Sequence, residues 1–100
     1  MDFKDLLKQA DQLKEVLKKR QEELGAKEFE GEAGAGMVKA VVNGKQEVLS
    51  VTIDPQSAPL NDLPMLEDLI RGAVNAAMEK ARAEAQGFLS QFMPGGFSPQ

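Results

Sequence analysis

Phe3, Leu6, Ala10, Leu13, Leu17 and Leu24 recur at alternating spacings of three and four residues, a seam broken only by Arg20, with no Gly or Pro before Gly25. That period puts the apolar side chains on one face and predicts an amphipathic first helix with a coiled-coil-like seam. Gly25 stands where a helix C-terminal cap is expected, and the chain can reverse there. The period then drops to two. Glu28, Glu30 and Glu32 alternate with Phe29, Gly31 and Ala33, which predicts an edge strand over 27–33 with one charged face.

Residues 37–53 predict two more strands. The Asn43-Gly44 pair between β-rich runs is the signature of a hairpin with a two-residue type I′ turn, which needs positive φ at both central positions. In that register Val38, Ala40 and Val42 share a face with Leu49, and Val51 and Ile53 continue it. Met37, Lys39, Val41, Gln46, Val48, Ser50 and Thr52 fall on the opposite face. Gly34 and Gly36 turn the chain into the second strand. Asp54-Pro55 ends the third, because proline cannot donate the next ladder hydrogen bond.

After a loop over 56–60, Asn61 or Asp62 is placed to cap a second helix, with Pro64 in its first turn. Its main stripe is Leu66, Ile70, Ala73, Ala77, Ala81 and Phe88, and the alanines permit close approach of a neighbour. Running to about Phe92, it would be roughly 45 Å long, against roughly 26 Å for the breadth of a compact domain of this length. Its end must project or pack on a partner. Residues 93–100, MPGGFSPQ, predict a disordered tail. The fold class is therefore α+β: a long N-terminal helix, a three-stranded antiparallel sheet and a long C-terminal helix (α-β-β-β-α), with 1–92 as a single domain.

Composition narrows the chemistry. A chain of 100 residues buries only about 60 to 65% of its unfolded surface, so oligomerisation would add useful burial. It contains no Cys and no His, which removes disulfides, thiolate chemistry, the common zinc and transition-metal sites and His-based acid–base catalysis. No cofactor is expected. No run approaches the roughly 18 apolar residues of a membrane span, and the opening MDFKDLLKQ lacks a signal-peptide core, so the expectation is a soluble intracellular protein.

GEAGAG (31–36) has the glycine content of a phosphate-binding loop, but a strand follows it where a P-loop or dinucleotide fingerprint needs a helix. Glu28, Glu30 and Glu32 are separated by nearly 7 Å along one strand, which suits a solvated face better than a cation site. No nucleophile–base set or paired acids in a pocket supports an enzyme.

The basic residues carry more. Lys4, Lys8, Lys18 and Lys19 lie on the solvent side of the first helix among Asp11, Glu15 and Glu22, and on the second helix Arg71, Asn75, Arg82 and Gln86 form a polar stripe at spacings of four, seven and four. Arg and amide side chains contact phosphates, and reach base edges from within a groove. The net charge of −4 opposes binding to a polyanion, yet residues 1–20 hold six basic and four acidic side chains, so the first helix is locally positive. Any contact that such a helix makes with a polyanion is expected to be weak and salt-sensitive.

The GEAGAG turn, the VKAVVNG strand and turn, VTIDP before a Leu-rich acidic helix start, LEDLI, and Asn75-Ala76-Ala77 together resemble the YbaB/EbfC family of small bacterial nucleoid-associated proteins, over roughly 5–92. The resemblance implies a tweezer-like homodimer, with helical arms projecting from a joint β core, that binds double-stranded DNA without catalysis in the cytoplasm, on the nucleoid. Low specificity and a part in chromosome organisation, protection or gene regulation are expected. Lys80 joins the candidate contacts, although it lies off the stripe: relatives often carry two adjacent basic residues where this chain has Glu79-Lys80. The alternative is an adaptor whose arms bind replication or recombination proteins.

Overall fold

The computed structural model describes residues 2–92, in the order α1 (Phe3–Ala26), β1 (Glu28–Ala33), β2 (Val38–Asn43), β3 (Val48–Ile53) and α2 (Leu63–Phe92). The α-β-β-β-α architecture matches the sequence expectation. The expected tail at 93–100 lies outside the described residues. β1, β2 and β3 form one antiparallel sheet in that order, so β1 is an edge strand as its alternating glutamates predict. α2 crosses β1 and β2 on one face. Its start is capped as expected by Asp62, whose carboxylate accepts the Met65 N–H at 3.2 Å.

The core lies between α2 and the sheet. Phe29 and Val42 meet Ala77 and Ala81 in one cluster, and Val38 and Ala40 meet Ala73 in a second. The helix comes this close because its contact stripe is alanine and because Gly31 offers no side chain. A Cβ on Gly31 would land on the backbone of Ala73 and Ala77. Burying a valine stabilises by about 1.5 to 3 kcal/mol, and among the described residues only Val38 and Val42 are large side chains fully removed from water.

Much apolar surface is left over. In α1 only Gly25 is buried, and Phe3, Leu6, Leu7, Leu13 and Val16 are exposed. β3 exposes Val48, Leu49 and Val51. The molecule extends 70 × 28 × 16 Å with a radius of gyration of 19.5 Å, against about 13 Å for a compact chain of this length. The projection expected of α2 is thus shared by α1, which leaves the sheet as a free-standing arm.

The hairpin departs from the sequence reading. Asn43 and Gly44 do not form a type I′ turn. Gly44 lacks positive φ, and the left-handed residue is Gln46, at φ 64°. The cause is the Asn43 side chain. Its Oδ1 accepts the Lys45 and Glu47 N–H groups at 2.9 and 3.0 Å, while the Gln46 N–H donates to the Asn43 carbonyl at 3.0 Å. This asparagine-anchored turn, closed by the Asn43 N–H to the Glu47 carbonyl at 3.0 Å, is the three-residue loop that ends in a left-handed residue. A bulge follows between Val41 and Val42. Val42 therefore faces Val48, not Lys45, and Leu49 is the extra residue, while Ala40 faces Val51 and Val38 faces Ile53. Val48, not Leu49, shares the face of Val42.

Gly25 does not end α1 either. The helix continues to Ala26, and extended Lys27 caps it by donating its N–H to the Leu24 carbonyl at 3.2 Å.

Candidate nucleic-acid interface

The alanines of α2 commit one side of that helix to the sheet, and helical geometry then fixes what the other side offers. Arg71, Asn75, Arg82 and Gln86 are all exposed along the outward side. The structure brings them together as one stripe. Arg71 donates to the Asp68 carboxylate at 2.6 Å, an exposed pair of the kind worth about 0.2 to 0.5 kcal/mol, which a phosphate can displace. Lys80 stands apart. Its ammonium turns toward the sheet and donates to the Glu30 carbonyl at 2.6 Å.

On α1, Lys4, Lys8, Lys18 and Lys19 are exposed. Ion pairs to Glu15 and Glu22 do not form. Among the described residues the ion pairs are Lys27–Glu84 and Arg71–Asp68, so the arm's lysines keep their charge available. Two further cations escaped the sequence reading. Lys14 is exposed and precedes Lys18 by four positions, a spacing that would have revealed it. Arg20, which breaks the apolar seam, faces a cleft of about 350 Å³ between the ends of α1 and α2, with Leu24, Glu84 and Phe88 also lining it.

The sheet face opposite α2 has the other sign. Glu28, Glu30 and Glu32 are exposed in a row, with Lys39 across from Glu32. Such a row of carboxylates repels a polyanion. Beyond the sheet, the Asp54 carboxyl is held below the usual aspartate value, first by the Ser57 hydroxyl donating at 2.8 Å and then by the Gln56 N–H at 3.0 Å. This side chain orders the turn after β3. Among the described residues no cluster of three or more acidic side chains is arranged to hold a metal ion, and no helix is long and apolar enough to cross a membrane.

Residues 1–97 match the YbaB/EbfC DNA-binding family. The chain belongs to that family. A nucleoid-associated protein of Anaeromyxobacter dehalogenans is 45% identical over 91 residues, covering 91% of this chain and 88% of that protein. One from Caldanaerobacter subterraneus is 41% identical over 97 residues, covering 97% and 86%. The fold of this YbaB/EbfC member is also that of an uncharacterized Helicobacter pylori protein of known crystal structure, with a TM-score of 0.77 at 22% identity, over 92% of this chain and 97% of that one.

Proposed function

We propose that this YbaB/EbfC protein is a nucleoid-associated protein that binds duplex DNA as a homodimer with low sequence specificity, within the cytoplasm, to organise, protect or regulate the chromosome. The observation that carries the reading is the exposure of basic and amide side chains along the helices: lysines on the helical arm that form no ion pair among the described residues, and an arginine and amide stripe on the outward side of α2. Lys4, Lys8, Lys18, Lys19, Arg71, Asn75, Arg82 and Gln86 are the contacts of this reading. Phosphates supply most of the binding free energy, since side chains exposed along helices meet a backbone that is the same in every sequence.

Dimerisation answers the excess of apolar surface. Among the described residues the α1 seam and the exposed Val48, Leu49 and Val51 of β3 find no partner element, and a second copy supplies one with the same unmet need. Two arms then flank a duplex. Fluorescence anisotropy with a random-sequence duplex across a salt series tests the reading. The same exposed seam supports a second reading, an adaptor for replication or recombination proteins. Recovery of a stoichiometric protein partner after nuclease treatment, with no DNA binding by the purified protein, would favour it.

A further inference from the structure

We infer that Gly44, in the turn between β2 and β3, is a positioning residue that sets the direction of the α1 arm, within a joint braced by Lys27 and Glu84. The inference rests on the reading of α1 as a DNA-binding arm. Gly44 lacks positive φ, so its conformation does not demand glycine. Space demands it. A Cβ there would land on the Leu24 carbonyl oxygen and stand 3.0 Å from the Gly25 Cα, both on the last turns of α1. The Gly44 N–H also donates to the Gly25 carbonyl at 3.2 Å, satisfying one of the carbonyls that a helix end leaves without a partner.

Other ties to the root of the arm are few. The Lys27 ammonium pairs with Glu84 at 2.7 Å and lies 5.7 Å from the centre of the Phe29 ring, Leu24 leans on the Phe29–Val42 cluster, and the Lys45 side chain covers Gly25. Residues 2–16 are all exposed. The turn, by contrast, is fixed by the side-chain and backbone bonds of Asn43. Within the protomer, a methyl group added at Gly44 is therefore relieved by moving α1, the less constrained side. Lys4 lies about 30 Å from Gly25 along the helix axis, so a tilt of about 10° at the root carries the tip about 5 Å, enough to take its lysines off a phosphate.

The experiment uses the full chain, which has no cysteine, so spin labels attach only where cysteines are introduced. Gln9→Cys on α1 and Glu79→Cys on α2 are labelled, diluted with unlabelled protein, and their distance is measured by pulsed dipolar spectroscopy without DNA. Gly44→Ala is expected to shift the mean distance by about 4 Å and to raise the Kd for a random duplex severalfold, with circular dichroism unchanged. Gly87→Ala is the control, since a Cβ there meets nothing within 4 Å. An unchanged distance in folded Gly44→Ala overturns the inference. A shifted distance with unchanged Kd overturns the link to DNA. Should Gly44→Ala fail to fold, Lys27→Met carries the test: a broadened distribution supports the joint and an unchanged one overturns it. If the parent protein binds no DNA, the functional reading falls, whatever the distances show.

Discussion

Gly31 of β1 lies directly beneath the backbone of Ala77 on α2, so close that the helix rests on a strand position without a side chain. Helix, sheet and outward stripe are all located by this contact, because it fixes which side of α2 faces in. Gly31→Ala is expected to destabilise the protein by about 2 to 3 kcal/mol through overpacking against rigid backbone. Urea unfolding monitored by circular dichroism checks it. A change under 0.5 kcal/mol would mean that α2 is not seated as described.

The two basic side chains Lys80 and Arg82 have different surroundings, and their variants should separate. Arg82 is exposed on the stripe with no ion-pair partner among the described residues, whereas the Lys80 ammonium is held by the Glu30 carbonyl. Arg82→Glu is expected to weaken binding to all duplex sequences alike and to lower the salt slope by about 0.9. Lys80→Gln is expected to lose less affinity than Arg82→Gln. Anisotropy titrations on two unrelated duplexes decide both, and a loss confined to one sequence would contradict the phosphate role.

Leu13 on α1 and Val51 on β3 test dimerisation from both of its apolar surfaces. Each is about half exposed or nearly so in the single chain, at 54% and 41%, so a charge at either position does little harm to the protomer fold. Leu13→Glu and Val51→Lys should each raise the dimer dissociation constant about tenfold or more, equivalent to 1.4 kcal/mol. Sedimentation equilibrium measures this. Unaltered association in both variants would place the interface elsewhere.

Asp54 gives the fold a pH dependence of known sign. Its folded pKa is depressed by the Ser57 hydroxyl and the Gln56 N–H, so its contribution is complete above the ordinary aspartate value and is lost as pH falls through the folded value. The stability gap between the parent protein and Asp54→Asn is expected to be constant at neutral pH and to close below about pH 4. Urea midpoints measured from pH 7 to 3 check it. A gap that widens toward acid would have the wrong sign.

Element order and type were legible in the sequence because each rests on a local signal: the three-and-four spacing of α1, the alternating glutamates of β1, the Asp62 start of α2. The turn was not. Asn-Gly signals a two-residue turn, whereas the longer loop here goes with hydrogen bonds of the Asn43 side chain to residues beyond the pair, and with α1 packing onto Gly44, a contact between segments distant in the chain. The bulge at Leu49 follows from that loop. Of the candidate site, the α2 stripe was readable from helical period alone, whereas the tether of Lys80 to β1 depends on how α2 lies over the sheet.

The central claim is most directly tested by anisotropy of the purified protein with a fluorescent random-sequence duplex as salt is raised. The account predicts saturable binding whose log K falls linearly with log salt, at about 0.9 units of slope for each phosphate contacted, and equal affinity for an unrelated sequence. Absence of binding even at low salt would contradict it.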